Sequence, residues 1–545
     1  MTEVKFHWVD YLVLGIFLFG TVGIGAIYAF LAKRSKKEVT TDDILRGGGG
    51  LHWAPVALSI QASFLSAIFI LGMPSEVYHH GTMYAWFIIS YFIAFPISAH
   101  TTLTVFHRLG ITSSNEYLER RFNRVVRRMA TVVFLIMVIL YMAVVLYAPS
   151  LALNKVTGLK IELSIVIIGG VCTIYTALGG MKATVANDVI QMMIILLGLI
   201  ILNAFGIRDA GGITNVFDNA KQGGRWDFYE FNPNPTIRHS FWTQIVGGTF
   251  LNMTMFGANQ TIIQKFVSVK KLKDARKSMY ACLATTSIYF ILVMLLGLVM
   301  YSRYMTCDPT ITGKIDKKDQ LVPFFTMDIL RSYKGLPGLF LATTFSAALS
   351  SIAGGLNAIA AVLVEDVIKP IFRHKTKREL SAVKGGTIAR LIVFLFGALT
   401  IGLSFIVQFL GDTVLQLALS IFGFVGGPIF GLFILGMFIP WTNSLGAAAG
   451  LLVSLAFSSW VAIGKIVSKF PIPLKRMSAE CLNSANSTTS AYNTWEMTTS
   501  IPSSENPLKK FYRLSYSYYA LFATLIAVIV GLGVSFATGA CIFYL

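Results

Sequence analysis

Long apolar stretches separated by short polar connectors recur along the chain from Tyr11 to Phe543. Each is close to the roughly 20 residues a helix needs to cross a ~30 Å hydrocarbon layer. None shows the residue-by-residue alternation of a membrane barrel strand. Only helices and closed barrels satisfy every backbone group in lipid, so the pattern predicts an all-α polytopic membrane protein. Thirteen spans are expected, near residues 9–31, 52–75, 84–106, 129–150, 162–180, 186–206, 240–260, 278–302, 338–362, 388–409, 413–435, 443–464 and 515–537. Only 13% of residues are charged, about half the share of a soluble protein. The longest polar segments, such as 466–512, are too short for an independent core. The chain therefore reads as one transmembrane unit over 1–545, with no appended catalytic domain.

Charge fixes an orientation. The formal net charge of +19 would suit nucleic acid, but the basic residues sit in connectors between spans, as the positive-inside rule expects. They are topology determinants and lipid-headgroup contacts. Four clusters (Lys33–Lys37, Arg120–Arg128, Lys270–Lys277 and Lys369–Arg390) fall on one side of thirteen crossings, which makes that side the cytoplasm. The N-terminus is then outside, the C-terminus inside, and the loop at about 466–512 extracellular. Its Asn486-Ser487-Thr488 is a glycosylation sequon, in agreement with that placement. Of five cysteines, Cys172, Cys282 and Cys541 lie in or near spans, whereas Cys307 and Cys481 fall in outside loops where a disulfide between them would persist.

Three intramembrane stretches carry candidate chemistry. In the second span, Ala62-Ser63-Phe64-Leu65-Ser66-Ala67 is followed by Gly72 and Pro74. Small and helix-weakening residues here let a helix break and free carbonyl oxygens for a hard cation such as Na⁺, although the same residues also suit close helix packing. In the ninth span, Ser350 and Ser351 offer adjacent hydroxyls, with the Ala347 carbonyl a turn earlier. The seventh span runs from Gly247-Gly248 to Gly257-Ala258-Asn259-Gln260 and is a second candidate for a discontinuous helix, five spans after the first. Asp188, at the start of the sixth span, is either a functional ionisable residue at membrane depth or a helix cap. No P-loop is present, which leaves ATP-driven transport unsupported, and no HExxH or Cys/His cluster marks a transition-metal site.

Several stretches are similar to the sodium:solute symporter family, which holds glucose, iodide, monocarboxylate and multivitamin carriers. They are LYAPSLALN at 146–154, YTALGGMKA at 175–183, EYLERRF at 116–122, LGMPSEVY at 71–78 and Val364-Glu365-Asp366. The first two most resemble the multivitamin, monocarboxylate and iodide branch. The resemblance implies a LeuT-like fold of five plus five inverted spans, with core repeats near 52–206 and 240–435 and additional helices near 9–31, 443–464 and 515–537. It implies a sodium site on the carbonyls of Ala62, Leu65 and Ala347 and the hydroxyls of Ser350 and Ser351. Ser66 and Tyr147 match positions tied to a second sodium or to substrate. Asp188 matches a third-cation or gating position, but Asn187 precedes it where the family usually has Thr or Ser. Substrate residues to test are Phe64, Phe69, Trp242 and Gln260. Phe69 stands where the iodide carrier has glutamine, and the apolar second span lacks the polar groups that contact sugars.

The implied function is sodium-driven import of a small organic anion, a monocarboxylate or a biotin- or pantothenate-like vitamin, across the plasma membrane by alternating access. Sodium is the coupling ion and no cofactor is implied. An iodide or sugar-like symporter, a channel and a transport-inactive sensor are the rival readings.

Overall fold

The computed structural model describes residues 6–34, 50–111, 113–410, 413–468, 474–475, 477–478 and 507–539. Asn486, Cys481 and Cys541 lie outside the described residues. Helix α1 (Trp8–Arg34) precedes a broken pair, α2 (Trp53–Phe64) and α3 (Ala67–His80), bent by 60°. Next come α4 (Phe87–His100), α5 (Arg124–Thr157) and α6 (Ile161–Asp209). Two π-helical turns, Thr243–Gly247 and Met253–Gly257, flank α7 (Gly248–Asn252), and the chain restarts after Ala258 and Asn259 as α8 (Gln260–Val267). Helices α9 (Leu272–Tyr304), α10 (Leu336–Val362) and α11 (Ala382–Val407) follow. One further span is made of α12 (Val414–Ile421) and α13 (Gly427–Phe438), joined by a π turn; α14 (Ser444–Ser468) and α15 (Tyr519–Ala537) come last.

Among the described residues, ten helices are long and apolar enough to cross a membrane, and the bent α2–α3 pair makes an eleventh. Two features account for the difference from thirteen. The expected spans at 162–180 and 186–206 are continuous in α6, which has 49 residues. At 1.5 Å per residue such a helix would run ~74 Å, over twice the hydrocarbon thickness. Gly180 resolves this with a non-helical backbone (φ 62, ψ −166) that only glycine adopts easily. The expected span at 240–260 is instead built of short π and α pieces that end in a break at Ala258–Asn259. The discontinuous helices therefore lie five spans apart.

Helix α10 is the centre of the molecule. Its apolar stretch is 94% buried, whereas α1 at the periphery is 17% buried. A helix apolar on all sides belongs inside a bundle, and α10 packs against α5, α6 and α2. Lipid-phase packing gains nothing from expelling water, so close contact between small residues replaces it. Helices α14 and α15 show this directly: a Cβ on Gly450 would lie 2.4 Å from the Ala527 carbonyl oxygen. Helix starts are locally encoded, as where Asn123 accepts from the Val126 N–H at 2.9 Å. Cys307 is disulfide-bonded, and the neighbouring Asp308 N–H donates to the Ser478 carbonyl at 2.9 Å, which brings the 474–478 segment beside it.

At the end of α10, Asp366 lies in a π turn with its side chain fully buried. It accepts from Ser113 Oγ (2.9 Å), Asn115 Nδ2 (3.1 Å) and Thr131 Oγ1 (2.8 Å), and from Arg127 Nη2 at 2.5 Å. This knot fastens the short helix Ser114–Arg121 and α5 to α10. Removing one partner of a buried ion pair strands the other charge. Arg127→Ala is expected to cost about 3–5 kcal/mol, seen as a lower melting temperature of the detergent-solubilised protein. An unchanged melting temperature would show that the knot does not hold the scaffold.

Candidate functional site

The break between α2 and α3 redirects the backbone. Leu65 leaves helical geometry (ψ 69), and the Ser66 N–H donates to Phe64 O at 2.8 Å, not to Ala62 O as a continued helix would require. The Ala62 carbonyl is thereby released from the helical ladder. Helix α10 meets it with two hydroxyls: Ser350 Oγ lies 2.9 Å and Ser351 Oγ 3.2 Å from Ala62 O. The same hydroxyls lie 3.2 and 3.1 Å from the Ala347 carbonyl oxygen. Four of the five expected sodium ligands thus converge from two helices distant in sequence. The fifth, Leu65, sits at the break itself, where its N–H donates to Gln61 O at 2.9 Å. Carbonyl and hydroxyl oxygens are hard donors, and the set fits a hard cation. Each hydroxyl can rotate to present a proton or a lone pair, so the oxygens can hold one another or an ion.

Ser66 lies next to this set. The Tyr141 hydroxyl of α5 reaches the hydroxyls of both Ser66 and Ser351. Sequence reasoning missed Tyr141, which only the packing of α5 against the break shows. Phe64 is held between Phe256 and Phe422, at ring-centroid distances of 4.9 and 5.5 Å, and Phe422 continues to Tyr141 at 4.6 Å. These rings come from both repeats and roof the broken helix.

The other expected site residues are placed elsewhere. Phe69 is half-buried and faces Phe290 of α9, 6.3 Å away. Gln260 is buried, and its Oε1 accepts from the Ser114 N–H at 2.7 Å, tying α8 to the connector after α4. Tyr147 receives Lys317 Nζ on its hydroxyl at 2.8 Å, away from the serine pair. Trp242 is 43% exposed and donates its indole N–H to Phe231 O at 3.0 Å. An amphipathic ring with one wet edge suits a boundary position, and Trp242 does not join Phe64. Asp188 is buried and meets Lys265 Nζ at 3.0 Å, a partner the sequence did not suggest.

An ion-paired cluster closes the opposite end of the broken helix. Glu76 of α3 accepts from Arg238 Nε and Nη2 at 2.6 and 3.0 Å, while Arg238 Nη1 donates to Gln416 of α12 at 2.6 Å. His239 Nε2 stands 3.2 Å from Glu76 and 2.9 Å from the Tyr516 hydroxyl. Burial pushes His239 down to about 3, which keeps it a neutral hydrogen-bonding ring. These residues were missed because their partners are far apart in sequence.

The comparisons with known proteins agree with this architecture. Residues 45–454 match the sodium:solute symporter family. The chain belongs to that family. It is 42% identical over 541 residues to the sodium-coupled monocarboxylate transporter 1 of Homo sapiens, covering 97% of this chain and 87% of the relative. It is 40% identical over 540 residues to the sodium-dependent multivitamin transporter of Oryctolagus cuniculus, covering 98% and 83%. In fold it is similar to a substrate-bound, outward-open Na⁺-coupled sialic acid symporter, with a TM-score of 0.77 at 22% identity and 98% coverage of both chains. This family member is thus a multi-pass sodium-coupled symporter with a LeuT-like core, not an enzyme.

Among the described residues outside the spans, Asp319 is shifted toward neutral pH. Asp319 is buried and accepts from the Val414 N–H at 3.1 Å, capping α12. Burial raises it from 3.8 to about 6, opposed by the Val414 hydrogen bond, with Glu76 raising it and Lys317 and Lys318 lowering it. A folded-state pKa above the unfolded value favours the protonated native form. Its stabilisation is full below about pH 4 and is lost as pH rises through about 6. Asp319→Asn keeps an acceptor for the cap and removes the titration. The difference in stability between variant and wild type, read from melting curves, is expected to change across pH 4–7 by an amount on the order of 3 kcal/mol; a pH-independent difference would rule this out.

Proposed function

We propose that this symporter carries a small monocarboxylate anion into the cell with sodium bound at Ala62, Leu65, Ala347, Ser350 and Ser351. The observation that carries the reading is the pair of unlike helix ends at one break. The C-terminal end of α2 offers carbonyl oxygen to a cation. The N-terminal end of α3 begins at Ser66, whose side chain makes no capping hydrogen bond, so the first N–H groups of α3 face the break. A helix N-terminus favours a carboxylate. By contrast, α8 is capped by its own Asn259, which accepts from the Thr261 N–H at 2.9 Å. The Phe64, Phe256 and Phe422 rings suit an apolar tail of modest size. The likeness to sodium-coupled monocarboxylate transporters supports this solute class; the likeness to a multivitamin transporter favours a larger carboxylate as the second reading.

Energetics set a requirement on the coupling. One sodium crossing ~100 mV with a tenfold gradient releases about 3.7 kcal/mol. A monoanion moving inward gives back the ~2.3 kcal/mol electrical part. One sodium would therefore sustain only about a tenfold anion gradient, and two sodium ions about a thousandfold or more. Ser66 and Tyr141, next to Ser351, are the residues we assign to the second ion or to the anion. Rocking of one bundle against the scaffold around this site gives alternating access. The reading places the N-terminus outside, the C-terminus inside, and Asn486 in an extracellular, glycosylated loop of a plasma-membrane carrier.

Competition decides the solute. Lactate is expected to suppress sodium-dependent uptake more than biotin, pantothenate, iodide or glucose do, and uptake in Ser350→Ala/Ser351→Ala should fall at least tenfold at low sodium. Equal wild-type uptake in choline and in sodium medium would end the sodium assignment. Preferential competition by biotin would move the solute to the vitamin class.

A further inference from the structure

Lys265 lies in α8 with its side chain 1% exposed, and no part of the sodium site described above uses it. An ammonium has three protons to donate, and each one is engaged. Nζ lies 2.6 Å from Ser59 O, 2.7 Å from Ser63 Oγ and 3.0 Å from Asp188 Oδ2. The same carboxylate oxygen accepts from Ser59 Oγ at 2.5 Å. With no proton left over, the ammonium is not placed to hold a solute carboxylate. It is instead the point where α2, α6 and α8 meet, one turn of α2 before the Ala62 carbonyl.

The surroundings are those of a cation site. Asp188 is fully buried, and a carboxylate there is strongly disfavoured without a counter-charge. Among the described residues its second oxygen, Oδ1, has no hydrogen-bond partner, nor have the side-chain oxygen and nitrogen of Gln191 one turn along α6. One carboxylate oxygen, one carbonyl and one hydroxyl lie within 3.0 Å of a single point. All are hard donors and together carry one negative charge, a set matched to a monovalent cation. That point is held by nitrogen from the chain itself.

We propose that Lys265 is a tethered substitute for a transported ion: its ammonium fills the cation place at Asp188, so this carboxylate adds no sodium to the coupling stoichiometry. The inference rests on sodium coupling through the α2–α10 oxygen set. An ammonium fixed to α8 meets the electrostatic need of α6 in every cycle and never crosses the membrane. Any sodium in the same place would have to displace a charge covalently bound to the protein.

The test is the ratio of charge moved to solute taken up, measured with lactate as the probe on the full chain in voltage-clamped cells. In Lys265→Gln the place at Asp188 opens to sodium, and the ratio should rise by about one elementary charge per lactate, with a steeper sodium dependence. Lys265→Arg keeps the tethered cation and should retain the wild-type ratio. Lys265→Gln/Asp188→Asn removes both charges and should also retain it, and this neutral pair decides the matter if Lys265→Gln alone does not reach the surface. A wild-type ratio in surface-expressed Lys265→Gln overturns the proposal, because sodium then does not take the vacated place. A lower ratio in the neutral pair overturns it too, because Asp188 would already carry a transported ion in the wild type. Wild-type lactate uptake indifferent to sodium overturns the coupling reading itself, and is recognised by appearing before any substitution is made.

Discussion

Within a bilayer, a carbonyl cut off from its helical partner has no water to turn to, and leaving it bare costs several kcal/mol. This chain nevertheless interrupts a helix part-way across, at Leu65 and Ser66. Much of the interior follows from how the released Ala62 carbonyl is satisfied. Donors must come from another helix, which places the Ser350 and Ser351 hydroxyls 2.9 and 3.2 Å away. To deliver them, α10 must run through the centre of the bundle, and its small side chains let it do so. A hydroxyl that bonds a carbonyl can also turn its lone pair toward a cation. The interaction that repairs the broken helix thus uses the same four oxygens that the proposed sodium site would use.

The break also divides one span into two levers. On one side α3 is tied by Glu76 to Arg238 and, through that guanidinium, to Gln416 of α12. On the other side α2 is tied by Ser59 and Ser63 to Lys265, and through it to Asp188 of α6. Each half of the span carries its own buried ion-paired closure, and a 60° bend separates them. Opening both ends together would expose or strand two buried ion pairs at once, each costing several kcal/mol. Electrostatics at the two ends therefore favour access from one side at a time. The Asp366 knot fastens α5 to α10, as a fixed scaffold requires.

Much of this was legible in local sequence. Small and helix-weakening residues at 62–67 and 257–259 marked both breaks, and the adjacent serines marked the donor helix. The boundary expected between the spans at 162–180 and 186–206 falls on the bend at Gly180 that turns α6 into two crossings. What stayed hidden was pairing over distance. Lys265 lies 77 residues from Asp188, and Arg238 lies 162 from Glu76; nothing in the spacing of either pair links them. A signal was present for Lys265, which is flanked by Ile262, Ile263, Phe266 and Val267 and so stands apart from the solvated cluster beginning at Lys270. Trp242 shows the converse limit. An aromatic residue at the start of a span fits a substrate wall and a membrane boundary equally well, and its exposed ring follows the boundary.

A cation and an anion bound together at the break, the arrangement proposed for this symporter, would solve a problem that neither solves alone. Each ion entering the protein sheds hydration, and fixed dipoles return only part of that loss. The ends of α2 and α3 present opposite partial charges a few residues apart. A sodium ion on the carbonyl side strengthens the field that draws a carboxylate to the N–H side, and the carboxylate in turn holds the sodium. Affinity for each ion then depends on the presence of the other, by the same factor in both directions. This reciprocity is what coupling demands. On the proposed arrangement it would need no long-range signal through the protein, because the two ions would share one interrupted helix beneath the Phe64, Phe256 and Phe422 rings.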